Sequence, residues 1–512
     1  MINKNKVFDF FKSDVVSGFQ LQLVNTLGLV ISAPFLLNHL GAETYGLVAM
    51  YSMVLNLLGL ADFGITPTVS RNTNLFCIKK ITAKKYRTVL LYSAVFLLLV
   101  SSLIVVLGLL FGATVISDNL KLDTLFADEV RIAVEYMIFG CLARWISQGY
   151  FRAILIGSGR LALANWICIF TSLMRNAIPI IILSIFTVPF YRYFQIVFII
   201  ALIEFLLLGL YASNIFSIVI SDFRHAKDGL ITSIRDELKF GVKIFAASLI
   251  GICLFQVDKI LIVSNVELKI FGYFGFVMII VGGVQMLASP IMQAATPKLL
   301  RLYSLGKWNE FENSLYRFSK ILTLLSFFIF SVIYNSGESI LLLWTGNLEL
   351  ADSMSVALSI YTLAFCFTNV GGILYVALYA KDRLNFHITG TAIFFVSILL
   401  SCIVLIPKYL IIGGAISWLM VSGIFVFIWL PIVLKKIGSN LQIVRVLFLS
   451  LLCSGLIKLL VFLCEYNFTL LDNPVYKISV SLLLSILVFW IFNKNFIFDF
   501  LKFEIFSKKA SA

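Results

Sequence analysis

Charge is scarce in this chain. Only 13% of its 512 residues are Asp, Glu, Lys or Arg, about half the share of a soluble globular protein. Hydrophobic residues make up 61% and the mean hydropathy is +1.02. That balance excludes an ordinary water-soluble enzyme or binding module and indicates a polytopic membrane protein. Histidine is rarer still, at three residues, and no His, Asp or Glu group has the spacing of metal ligands. The eight cysteines are scattered, with neither a CxxC pair nor an even-spaced framework, so neither disulfides nor a zinc site is indicated. There is no GxxxxGK[ST] and no GxGxxG behind a strand. Bound nucleotide is therefore not expected, nor any other cofactor.

What the chain has in abundance is apolar runs of spanning length. A bilayer core takes about 20 apolar residues per helix. That window gives fourteen spans: 15–38, 45–68, 89–116, 130–151, 161–185, 194–218, 242–264, 270–294, 320–343, 355–380, 386–407, 410–434, 444–463 and 477–497. The start, MINKNKVFDFFKSD, is basic and polar and lacks a small-residue cleavage site, so the first span reads as retained. The net charge of +14 resembles a nucleic-acid signal, but its placement argues otherwise. With the N-terminus inside, 30 Lys and Arg fall in inside segments, 6 in outside ones and 4 within spans, accounting for all 40. That bias is a membrane topology code, with both termini cytoplasmic, and no nucleic-acid partner is expected.

The expected organisation is all-α. Residues 1–218 form an N-lobe of six spans, 219–243 a central cytoplasmic loop, 244–434 a C-lobe of six spans, and 435–512 two appended spans with a tail. The halves look weakly alike. ETYGLVAMYSMVLNLLG heads span 2 and KIFGYFGFVMIIVGG heads span 8, each with an aromatic–Gly pair and a later proline, Pro67 or Pro290. A pseudo-symmetric repeat of this kind places a cavity between two bundles. The pairs SGF at 17–19, GGVQ at 282–285, NVGG at 369–372 and GGA at 413–415 are read as sites of close helix contact.

Ionisable residues inside spans are costly and mark interior or watery positions. Counting rise from the outer edge, Arg175 sits roughly 9 Å in, Glu204 roughly 15 Å, Arg144 roughly 20 Å and Asp62 roughly 25 Å. These are two bases and two acids on four helices of the first half. Asp258 and Lys259 stand together in span 7, and Lys458 near the middle of span 13 reads as a bracing or snorkelling residue. Either the first-half charges line a polar path, with arginines gripping an anion, or they brace the bundle as salt bridges. Asp62 lies in GLADFGITPTVSR (59–71), nine residues before Arg71, on the opposite helix face. The expected partner is instead Arg144, at nearly the same depth. Gly64 and Pro67 read as the bend ending span 2, and Arg71 as the first cation of the inner loop 71–87.

The first two spans carry a resemblance. P-x-L at Pro34–Leu36, then Leu40–Gly41, Tyr45–Gly46–Leu47, and then Asp62, Gly64 and Arg71 resemble the opening of Wzx-type O-antigen/polysaccharide flippases, of the MATE/oligosaccharidyl-lipid/polysaccharide (MOP) exporter superfamily. F-x-x-D-K-I-L-I from Phe255 to Ile262 is similar to that family's seventh helix. The resemblance implies two six-helix lobes. It also implies translocation of undecaprenyl-pyrophosphate-linked sugar units across a bacterial plasma membrane, by alternating access coupled to a proton or sodium ion. Membrane lipids, a polysaccharide polymerase and a chain-length regulator would be its partners. Arg144, Arg175 and Lys259 are then the candidates for substrate binding, and Asp62, Glu204 and Asp258 those for ion coupling or charge pairing. Of these, only Asp62 and Asp258, with Arg71, rest on the motif match; the others rest on depth. Two alternatives remain at this level. One is a MATE-type drug or cation antiporter, whose cavity is usually acidic and whose spans number twelve. The other is a polysaccharide polymerase or ligase, disfavoured because no outside loop exceeds about 15 residues. An enzymatic role is not expected.

Overall fold

A computed structural model describes residues 14–58, 64–112, 124–220, 251, 253–286, 288–381, 383–436, 438–439, 442–467 and 473–510. Nearly all of them are helical, with no strand among them. This is what a bilayer imposes: every backbone N–H and C=O must be satisfied within its own segment.

In chain order the helices are α1 Asp14–Leu40, α2 Ala42–Leu58, α3 Ile65–Cys77, α4 Ala83–Leu107, α5 Thr124–Ile146, α6 Arg152–Gly157, α7 Leu161–Ile185 and α8 Tyr191–Ile220. After a helical stretch at 253–263 come α9 Leu268–Met286, α10 Ala288–Ser304, α11 Trp308–Thr345, α12 Leu348–Ala380, α13 Leu384–Ile424, α14 Leu430–Lys436, α15 Gln442–Asn467 and α16 Pro474–Ala510. Among the described residues, ten helical runs are long and apolar enough to cross a membrane. One of them, Asn385–Lys436, holds two of the expected spans, with α13 broken at Leu410, whose φ is 52°. Of the three remaining expected spans, 45–68 is only partly described, 130–151 is helical but carries charge, and 242–264 is described only in its second part. The central loop 219–243 lies almost wholly outside the described residues, and so does Asp62.

The chain divides into two compact units, Met1–Gly272 and Tyr273–Ala512. In the first, α1 lies along α7, joined by a polar ladder. Asn165 Nδ2 donates to Ser17 Oγ at 3.0 Å, Ser172 Oγ to Asn25 Oδ1 at 2.6 Å and Ser32 Oγ to Asn176 Oδ1 at 3.2 Å. Also in this unit, the glycines of the two similar segments meet. A Cβ on Gly272 would lie 2.9 Å from Gly46 N, and one on Gly46 2.2 Å from Leu268 O. In the second unit, α15 and α16 pack on α11 through hydroxyl pairs, Ser331–Ser454 and Ser336–Ser481, each at 2.7 Å. Lys458 lies over the Tyr334 ring, 5.1 Å from its centroid.

Several local expectations change. Pro67 bends nothing: it falls in the first turn of α3, where a missing N–H costs no hydrogen bond. Gly64, left-handed at φ 75°, is the residue that starts a new helix. Arg71 therefore lies on α3 rather than in a loop. Likewise Arg152 begins α6, and the expected inside segment 297–320 is mostly helix ends, whereas Lys381 and Arg383 do lie between helices. A hydropathy window sees the hydrocarbon core alone, whereas the backbone ladder runs on past it, with Lys and Arg reaching for the interface. Of the glycine pairs, GGA is a close approach, since a Cβ on Gly413 would lie 2.3 Å from Leu405 O, but Gly282 and Gly283 face open space.

Candidate functional site

The first unit gathers its buried charge where α5, α7 and α8 pack together. α5 delivers Arg144 and runs directly into a single π-helical turn, Ser147–Phe151. Such turns arise where a helix must re-aim side chains. Here the turn presents Ser147 and Gln148 to Glu204 of α8, and Gly149 O accepts a hydrogen bond from Thr66 Oγ1 at 3.0 Å.

Glu204 is the hub, with 1% of its side chain exposed. Gln148 Nε2 donates to its Oε1, and Thr171 Oγ1 donates to its Oε2 at 2.8 Å. Ser147 Oγ lies 3.4 Å from Oε1 but also 2.9 Å from Arg144 O, so its one proton serves one acceptor at a time. Arg175 Nη2 stands 3.8 Å from Oε2, beyond hydrogen-bonding distance. Each carboxylate oxygen thus accepts from a neutral donor, and the arginine pairs with it loosely instead of in a two-pronged fork. Arg144 forms no ion pair among the described residues, although its charge is felt at Glu204, Arg175, Tyr51 and Tyr193. Tyr51 is 95% buried by area, at 5% exposure, and its hydroxyl has no hydrogen-bond partner. The cluster therefore offers donors in excess: guanidinium N–H groups and a phenol with no protein acceptor.

Arg144, Arg175 and Glu204 come together from three helices. Asp258 and Lys259 form a separate pair on the stretch 253–263. Lys259 Nζ lies 3.3 Å from Asp258 Oδ1 and 2.6 Å from Phe255 O, and Asp258 is fully buried. The expected Asp62–Arg144 contact falls outside the described residues. Among the described residues no group of three His, Cys, Asp or Glu could hold a metal ion.

A model of the polysaccharide biosynthesis protein family matches residues 14–302, more than half of the chain. The chain belongs to that family. No curated protein matches it. Among solved structures it is similar to the lipid II flippase MurJ in an inward closed conformation. That match has 15% identity and a TM-score of 0.62, and covers 94% of this chain and 100% of the other. It is also similar to an inward-facing multidrug-resistance MATE transporter of the MOP superfamily, at 13% identity, TM-score 0.61, and 81% and 95% coverage. A eukaryotic MATE transporter matches at 14% identity, TM-score 0.54, and 87% and 99% coverage. At these identities the likeness establishes the fold: this polysaccharide biosynthesis family member has the MOP-transporter architecture and is a multi-pass membrane protein.

The charged cluster lies wholly inside the part of the chain that matches the family. Sequence reasoning missed Ser147, Gln148, Thr171 and Tyr51 of the cluster, and Arg152 beside it. Gln148 and Tyr51 are neutral, and nothing distinguishes them from the many polar residues of membrane helices. Arg152 did carry a signal. It lies eight residues beyond Arg144 and four beyond Gln148, but it falls just past the apolar window.

Proposed function

We propose that this protein is a flippase for lipid-linked oligosaccharide. It would carry undecaprenyl-pyrophosphate-linked repeat units from the cytoplasmic to the outer leaflet of a bacterial plasma membrane, for O-antigen or related polysaccharide synthesis. The observation that carries this reading is the cationic, under-compensated cluster: Arg144 and Arg175 gather around a single carboxylate, which only Arg175 approaches, at 3.8 Å, and each of whose oxygens already accepts from Gln148 or Thr171. A headgroup of pyrophosphate and sugars supplies what the cluster lacks, namely anionic oxygens for guanidiniums and acceptors for hydroxyls. The polyprenyl tail stays in lipid throughout. Membership of the polysaccharide biosynthesis family and the MurJ-like fold support the same reading. The mechanism is alternating access of two six-span lobes. Arg144, Arg175 and Lys259 serve the anion, and Glu204, Asp258 and Asp62 serve coupling to a proton or sodium ion, or balance the arginines between cycles. A cation antiporter is disfavoured by the same excess of guanidinium, which repels a cationic substrate.

The decisive assay is leaflet accessibility of lipid-linked repeat units in cells lacking the protein. Outer-leaflet units should fall to background. Arg144→Ala and Arg175→Ala, inserted at normal levels, should fail to restore them, with initial rates down at least about tenfold. Unchanged accessibility in the deletion strain would sink the flippase reading. Normal transport by both Arg144→Lys and Arg144→Ala would remove the anion-binding role.

A further inference from the structure

We infer that Arg152 is a receiving site for the phosphate groups of the lipid-linked substrate, placed one step before Arg144 and Arg175 on the same face of the α5–α6 rod. This rests on the flippase reading and names a residue that the reading does not require.

Three observations carry it. The first is register. On an unbroken α-helix, eight residues from Arg144 to Arg152 would rotate the second arginine by about 80° from the first. The π turn Ser147–Phe151 lies between them, and its i→i+5 bonds absorb about one extra residue. The separation becomes about seven α-helical residues, two turns within roughly 20°. Arg144, Gln148 and Arg152 thus share one face. Their neighbours agree: Gln148 Nε2 donates to Cys168 Sγ at 3.1 Å, and the charges of both Arg144 and Arg152 are felt at Cys168.

The second observation is that Arg152 is held in place. Its Nη2 donates to Asn165 Oδ1 at 2.9 Å, and Asn165 is locked by donating Nδ2 to Ser17 Oγ at 3.0 Å. Asn165 and Ser17 are both buried. The amide fixes the orientation of the guanidinium without neutralising it.

The third is that the charge has no counter-ion among the described residues. Arg152 forms no ion pair among the described residues, and its Nε is buried with no hydrogen-bond partner. A guanidinium has five N–H donors in a planar fork. Asn165 takes one, which leaves a planar edge for phosphate oxygens. A residue required only to brace α6 on α7 would not need to keep a charge there; Gln148, neutral, already bridges to α7 one turn away.

Arg152, Asn165 and Ser17 lie toward the N-terminal ends of α6, α7 and α1 respectively. The distribution of Lys and Arg assigns these ends to the cytoplasmic side, where a substrate made in the cytoplasm first arrives. The order along the rod is then Arg152, Arg144 and, across the cluster, Arg175. An anion moving along it exchanges one guanidinium for the next and never sits uncompensated.

The test is binding by the full-length protein in lipid nanodiscs. The probes are undecaprenyl pyrophosphate, vesicles of phosphatidylglycerol, and inorganic pyrophosphate. Wild type should bind undecaprenyl pyrophosphate, and Arg152→Gln should weaken it about tenfold or more, the loss of one charge-assisted hydrogen bond. Arg152→Lys keeps the charge but loses the planar fork, and should fall between the two. Thermal midpoints of both variants should stay within a few degrees of wild type. If wild type binds none of the probes, the flippase reading itself fails. If wild type binds and Arg152→Gln binds equally well, this inference alone is overturned. Equal loss of phosphatidylglycerol binding in Arg152→Gln would reassign the site to general anionic lipid and also overturn it. If Arg152→Gln does not fold, undiminished affinity in Arg152→Lys together with Asn165→Ala counts against the inference in the same way.

Discussion

The two units keep their polarity in different currencies. Among the described residues, every buried ionisable Asp, Glu, Lys or Arg, namely Arg87, Glu204 and Asp258, belongs to the first unit. The second unit buries many polar groups, but they are hydroxyls and carboxamides such as Ser319, Thr323, Ser331, Asn335 and Asn369. Most of those hydroxyls return to their own helix, as Ser319 does to Leu315 O and Thr323 to Ser319 O, both at 2.7 Å. A hydroxyl satisfied within its own helix asks nothing of a neighbour and allows close packing. A buried charge demands partners on other helices and is worth keeping only if something uses it. The comparison teaches that chemistry is concentrated in Met1–Gly272, while Tyr273–Ala512 is built for helix packing.

The largest expected effect comes from removing the hub of the charged cluster. Glu204→Ala strips away the carboxylate that Arg175 pairs with and leaves that mostly buried guanidinium charge without it; Ser147 and Thr171 fall back on backbone carbonyls of their own helices, and Gln148 keeps only Cys168 Sγ. Breaking a buried pair from one side costs on the order of 3–5 kcal/mol. The second-unit counterpart is Asn369, whose Nδ2 donates to Val284 O at 3.2 Å and Ser326 Oγ at 3.3 Å. Asn369→Ala should cost only about 1 kcal/mol. Thermal unfolding of the two purified variants in one detergent decides it: similar midpoints would mean that the charged cluster is no more demanding than the hydroxyl-lined interior.

A smaller contrast concerns glycine. Gly46→Ala would place a methyl against backbone, 2.2 Å from Leu268 O, so α2 and the start of α9 must move apart, at a cost of about 1–3 kcal/mol. Gly455 on α15 has nothing within 4 Å of its added Cβ. Gly455→Ala should be neutral or stabilising by about 0.5–1 kcal/mol, since alanine loses less backbone freedom on becoming helical. A Gly46→Ala protein with wild-type midpoint and transport would show that the crossing at Gly272 has slack.

How much of this was legible follows from what a single sequence encodes. Spanning length and the cost of intramembrane charge are properties of composition and position, so the helical architecture and the trio Arg144, Arg175 and Glu204 could be read directly. The partners of Glu204 could not. Gln148, Thr171 and Ser147 differ from dozens of similar residues only in which helix faces them, and facing is a tertiary property. Arg152 falls outside the expected fourth span because that span closes at Phe151, at the charge itself, whereas the apolar run Ala153–Ile156 and the helix both continue beyond it. Nor does any residue pattern announce the π turn, so a straight 3.6-residue count would turn Arg152 away from Arg144. Lys259 shows the converse: its depth marked it as buried cation, but its neighbour Asp258 answers its charge locally.

The finest test of the contrast is the hydroxyl pair Ser331–Ser454, 2.7 Å apart and linking α11 to α15. Each hydroxyl has an acceptor in its own helix within reach of its single proton, Phe327 O at 2.8 Å for Ser331 and Ser450 O at 3.0 Å for Ser454. Each oxygen therefore has a fallback when its partner is removed. A double-mutant cycle of Ser331→Ala and Ser454→Ala should give a coupling of only about 0.5 kcal/mol, the scale of interhelical hydrogen bonds inside membranes. The equivalent cycle of Arg175→Gln and Glu204→Gln in the first unit should give several times that, because neither charge has a local substitute. Equal couplings would erase the distinction between the units. A serine coupling near zero would sharpen it, leaving the second unit held by shape alone at this contact.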